Sequence, residues 1–376
     1  MEGASGTQGN PVRVCVRGFT SAEQGDHFLR HLEGYPTIFL AKAPEEHRTS
    51  PSTVDHLLAV IRRDLRVTLF VNEIRISIEG RTATALDAGQ TVGEDDLADI
   101  RRLRLHDVEL PADAGILWVF SVGWRKGLFF DFMPLQEDAP PRVDDLEMLF
   151  GSYWAYVAQQ HLFQLSEAAW ERLYAEGWFP FIALSKSLIR NMATRACDGD
   201  RLDILLPKVH LEVVEKLPSM LSRWKTMPSF APHIEILQRA AERFAEGDHI
   251  STTGLLYPRI EGLLRTVHEE RAPSVERVRT RALTDKLVET EDFLHGTSWL
   301  LPARFRQYLN EFFFRGFAPG QPASLSRHSV SHGIAEASDF NEKAASIGFL
   351  ILHQASYLAP RVRLTSRSTD AGADER

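Results

Sequence analysis

The stretch SRHSVSHG, residues 326–333, sets Arg327, His328 and His332 close together in the chain. A guanidinium offers a planar fork of donors that grips phosphate and stays charged. An imidazole gives or takes a proton near neutral pH. Together they suit cleavage of RNA without a metal. The ribose 2′-hydroxyl attacks the adjoining phosphate, and a base removes its proton. An acid protonates the leaving 5′-oxygen, and a cation balances the charge that builds on phosphorus. The neighbourhood leans the same way: residues 301–333 carry four arginines and one acid, Glu311. A plainer reading of the same letters is a helix start with a capping serine and polar side chains in solvent. On an ideal helix Arg327 and His332 lie about 140° apart, whereas His328 and His332 share a face.

Other chemistry is thinner. The sequence contains no GxGxxG or Walker A loop, no HExxH, no DxDxDG, and no GxSxG after a strand,. Cys15 and Cys197 stand alone, without CxxC spacing or a histidine at zinc-ligand distance,. No metal and no cofactor are therefore expected. Trp124, Arg125 and Lys126 mark an expected hairpin tip. They read either as a loop that stacks bases and contacts phosphate, or as an ordinary solvated turn.

The elements that must position these residues come from composition and periodicity. The chain has 376 residues, 44% hydrophobic and 25% charged, enough for two or three domains,. The net charge of -8 argues against wrapping long duplex DNA by bulk charge,. The N-terminus is polar, and no apolar run approaches the roughly 20 residues of a membrane span. With so few cysteines, a reducing, cytoplasmic setting is expected.

From about 11 to 138 the pattern is mixed α/β. Val67, Leu69 and Val71, then Ile74, Ile76 and Ile78, recur at period two and predict two strands,. The segment 115–135 predicts a hairpin turning at Gly123 to Gly127. Val54, Leu57, Leu58 and Ile61 predict an amphipathic helix within 51–65. Residues 136–145, with Pro140 and Pro141, read as a linker. Beyond it, 142–360 reads as all helical. Asp339 is expected to cap the last helix, with Glu342 closing the capping box. The expected class is α+β, a mixed domain followed by a helical bundle, with frayed tails at 1–10 and 361–376.

RHSVSH resembles the R-x4-6-H signature of the HEPN superfamily, in its R-x4-H form, with polar His328 directly after the arginine. LLYPRIEGLLR, 255–265, is similar to an earlier helix of related abortive-infection-like proteins. The resemblance covers about 230–360. It implies an all-α domain, often dimeric, often a metal-independent ribonuclease of toxin–antitoxin or phage-defence systems. Arg327 would bind phosphate, His332 would transfer a proton, and Glu261 would orient one of them. A homodimer would face the two motifs across one cleft. The N-terminal half, outside the resemblance, would take a protein partner or antitoxin. Some members carry a modifiable tyrosine two positions after the last histidine; Ile334 stands there, so that regulation is not implied. Two further readings stay open: a catalytically inactive RNA- or partner-binding protein, and a structural bundle in which the motif is incidental.

Overall fold

The computed structural model describes residues 2–3, 14–45, 48–272, 278–289, 297–316 and 326–360. Nearly all of the two expected tails lies outside these residues. Within the first of them, Glu2–Gly3 (β1) pairs with Val14–Cys15 (β2). The chain is α+β and divides into two compact units. One takes residues up to Leu165 and a later segment ending at Leu301; the other takes the rest.

In the first unit come β3 (Arg17–Ser21), α1 (Asp26–Lys42), β4 (His56–Ile61), β5 (Val67–Val71), β6 (Arg75–Thr82), β7 (Leu97–His106), β8 (Gly115–Val122), β9 (Arg125–Asp131), α2 (Leu146–Ala158) and α3 (Gln160–Phe163). Five strands form an antiparallel sheet in the order β3-β9-β8-β4-β5. Alternation along β8 sends Ile116, Trp118 and Phe120 to one face, against Phe150 of α2 and Leu103 of β7. Leu117 and Val119 go to the other, against Phe28 and Leu32 of α1. Both faces are thus covered.

That double burial explains one failed expectation. Residues 51–65 form no amphipathic helix; their centre is β4. Leu57 and Ala59 face α1, while Leu58 and Val60 face α2 and β7. A strand buried on both faces is a continuous apolar run, and such a run also satisfies helical spacing.

The expected boundary at 138–142 is corrected too. Arg142 is pinned rather than loose. Its Nε donates to Asp131 at 2.7 Å and its Nη2 to the Ala114 carbonyl at 2.8 Å. α2 then packs on β7 so closely that a Cβ on Gly151 would meet Arg102 Cα at 2.8 Å. The first helix after the prolines therefore belongs to the sheet. The unit closes with a late segment: Ser298 Oγ and the Trp299 backbone N–H both donate to buried Asp99, at 2.8 and 2.9 Å.

Among its described residues the second unit has helices and no strand. They are α4 (Glu167–Ala175), α5 (Lys186–Asp198), α6 (Leu206–Lys225), α7 (Ile234–Ala245), α8 (His249–Arg271), α9 (Thr280–Val288), α10 (Pro302–Tyr308), α11 (Arg327–Ser331) and α12 (Glu342–Leu358). α12 is buried on every side from Ala344 to Leu358. It packs against α8 where a Cβ on Gly348 would meet Leu256 at 2.8 Å. Its cap is Asn341, whose side chain accepts from the Ala344 N–H at 3.1 Å, in place of the expected Asp339. Asp339 instead ends a preceding 3-10 turn. Among the described residues no helix is long and apolar enough to cross a membrane.

Candidate functional site

α11 is a single turn of five residues, too short to hold itself. Both of its ends are tied by local bonds. At the start, the Ser326 side chain accepts from the Ser329 N–H at 3.2 Å, and the Ser329 side chain accepts from the Ser326 N–H at 2.8 Å. At the end, Gly333 sits in the left-handed region at φ 68. Its N–H donates to Val330 O at 3.2 Å, and that of Ile334 donates to Ser329 O at 2.9 Å. This pair of bonds is a Schellman stop, which favours glycine at that position. The HG pair thus ends the helix at His332.

The turn lies against α8, which brings Glu261. Glu261 is nearly buried, with 7% of its side chain exposed. Its Oε1 accepts from Arg265 Nε at 3.0 Å and Nη2 at 2.6 Å. Its Oε2 is in ion contact with Arg327 Nε, without the alignment of a hydrogen bond. One carboxylate therefore holds two guanidiniums, and the group carries a net positive charge before either histidine protonates. Arg327 retains 22% side-chain exposure.

His328 is half-buried and His332 is exposed. Their rings lie nearly parallel, 16° apart in plane with centroids 6.3 Å apart. Arg327 Nη1 lies 3.5 Å from His328 Nδ1. The Phe314 ring meets His328 edge-on at 6.3 Å. Burial first, then the Arg327 charge, pushes the His328 imidazole below its ordinary range; His332 adds to this and Glu261 opposes it.

The structure thus gathers Glu261, Arg327, His328 and His332 from two helices, and it adds Arg265 and Phe314. Arg265 was legible, since it stands four residues after Glu261 on the same helix. Phe314 had no local signal. It follows a π turn, Leu309–Phe313, in which its N–H reaches back to Leu309 O at 2.8 Å.

Two other sequence features read differently in place. The four arginines of 301–333 do not form a bare basic patch. Arg304 is bound by Glu167, Arg306 by Asp285 at 3.2 Å, and Arg315 Nε by the Glu311 carbonyl at 2.9 Å. At the β8–β9 hairpin tip Trp124 is 75% exposed. Arg125, however, is buried and bound to Glu23 at 3.0 Å, and Lys126 donates to Ser121 at 3.0 Å. Those two cations serve the fold, which favours the solvated-turn reading. Among the described residues, no three His, Cys, Asp or Glu side chains are grouped so as to hold a metal ion.

No family model, no curated protein and no solved structure matches this chain.

Proposed function

We propose that this chain is a HEPN-like endoribonuclease that cleaves RNA by 2′-hydroxyl attack, without a metal. The observation that carries this reading is the Glu261–Arg327 ion pair. It unites RIEG and RHSVSH, far apart in the chain, with two imidazoles alongside. In the reaction Arg327 grips the scissile phosphate and balances its growing charge, while the imidazoles move the protons. Glu261 holds Arg327 in place, and Arg265 keeps that buried carboxylate satisfied when Arg327 turns to phosphate. The site's donors are cations and imidazoles, which match a phosphodiester and give a hard divalent cation little to bind.

The wider reading is a cytoplasmic toxin or phage-defence effector. Its helical unit pairs with a second copy, and its sheet unit takes a protein partner or antitoxin. The test is incubation of purified protein with total RNA, with and without EDTA. We expect cleavage in both, products ending in 2′,3′-cyclic phosphate or 3′-phosphate, and intact DNA controls. Loss of cleavage on adding EDTA, or 3′-hydroxyl ends, overturns the reading. Binding of RNA without cleavage, unchanged by Arg327→Ala, points to the silent alternative.

A further inference from the structure

Cleavage by 2′-hydroxyl attack needs one group to take a proton and another to give one, and α11 carries two imidazoles in unlike surroundings. His328 is half-buried, with the Phe314 and His332 rings each 6.3 Å from its own. Its Nδ1 lies 3.5 Å from Arg327 Nη1. A guanidinium offers hydrogens and no lone pair, so this contact makes Nδ1 the acceptor. The lone pair of His328 therefore lies beside the phosphate-gripping group and is freed to take a proton when Arg327 turns to phosphate. His332 stands in water at the helix end.

We propose that His328 takes the 2′-hydroxyl proton on Nδ1, that His332 protonates the 5′-oxygen, and that Phe314 is the positioning residue that holds the His328 ring against Arg327. This rests on the ribonuclease reading above. The step balances: the 2′-oxygen forms a bond to phosphorus as the bond from phosphorus to the 5′-oxygen breaks. One proton passes to His328, one leaves His332, and solvent exchange restores both rings.

The surroundings support the assignment. A base must start neutral. The charged and titratable groups facing His328 are Arg327 and His332 from its own segment and Glu261 on α8; Phe314 adds an apolar ring without charge. Burial and Arg327 outweigh Glu261, so the ring is held below its ordinary range. His332, exposed at the helix end, is open to exchange protons with solvent. Both imidazoles come from one chain, so the chemistry itself needs none from a second copy.

The test uses two RNA substrates, one with the natural 5′-oxygen and one with a bridging 5′-sulfur. A thiolate leaves without a proton, so it bypasses the acid and still needs the base. We expect His332→Ala to slow the oxygen substrate by about 10²–10⁴-fold and to recover most of that loss on the sulfur substrate. His328→Ala is expected to lose activity on both. Recovery by His328→Ala instead, or by both variants or neither, overturns the assignment. Phe314→Leu keeps both imidazoles. In histidine titrations followed by NMR it should raise the His328 midpoint, and the acid limb of the pH–rate profile should rise with it. No movement in either removes the role of Phe314. If the wild type cleaves neither substrate, it is the ribonuclease reading that falls, and the titration arm still reports on Phe314.

Discussion

Each unit holds a nearly buried carboxylate against arginine, and the two are built for different ends. In the sheet unit Asp131 and Arg142 leave 1% and 2% of their side chains exposed, and their other bonds go to backbone: Asp131 accepts from the Met133 N–H, and Arg142 donates to Ala114 O. Nothing there can turn toward a ligand without breaking the fold. In the helical unit Glu261 is buried as well, yet its arginines keep 22% and 43% exposure. One guanidinium can leave while the other stays. A single arginine on a buried acid locks a segment; a second one frees the first to work.

Removing a partner from the closed pair should have the largest effect. Asp131→Ala strands a buried guanidinium and should cost about 3–5 kcal/mol, read as a lower denaturation midpoint of the full chain. A loss under about 1 kcal/mol would mean the two pairs do not differ as argued. Next, Arg327→Ala should cut cleavage by about 10²–10³-fold. Its melting should change little, because Arg265 still satisfies Glu261. A melt lowered as far as in Asp131→Ala would erase the contrast.

The third concerns pH. His353, fully buried on α12 near Arg223 and Lys216, is pushed down to about 3, with burial the main cause. The unfolded chain therefore binds a proton that the folded unit refuses. The stability from this residue is present above about pH 6.5 and is lost as pH falls toward 3. Melting of wild type and His353→Leu across that window should show a flatter dependence for the variant. The smallest effect is local. Ser326→Ala removes one side of the cap and should cost about 1 kcal/mol. Cleavage is expected to fall more than global melting does.

The fold was legible where one face meets water and obscure where both are buried. β5 and β6 follow from Val67 to Ile78 because they keep alternation. β4 was read as a helix because Leu57 through Ile61 pack on both sides. β7 escaped because register shifts opposite Glu79 to Thr82 disrupt its period. The boundary was misplaced because Pro140, Pro141 and their acidic neighbours look like a linker, while the anchor is one buried arginine two positions on. At the site, Arg327, His328 and His332 were legible because they stand together in one short stretch, whereas Glu261 came only through the resemblance of the 255–265 segment. Phe314 was not legible, because its contact depends on where a π turn aims the chain.

Asp99 has a consequence for synthesis. It is buried, and its partners Ser298 and Trp299 lie 199 and 200 residues further along. A ribosome adding about 5–20 residues per second takes roughly 10–40 s to reach them. During that interval the nascent sheet unit has every strand of its sheet, while Asp99 lacks the two donors that Ser298 and Trp299 bring. The unit can collapse early and cannot finish until most of the helical unit has also emerged. A chain released at Leu165 would be held in that unfinished state for good, so the sheet unit is not a fragment that expression can simply cut free.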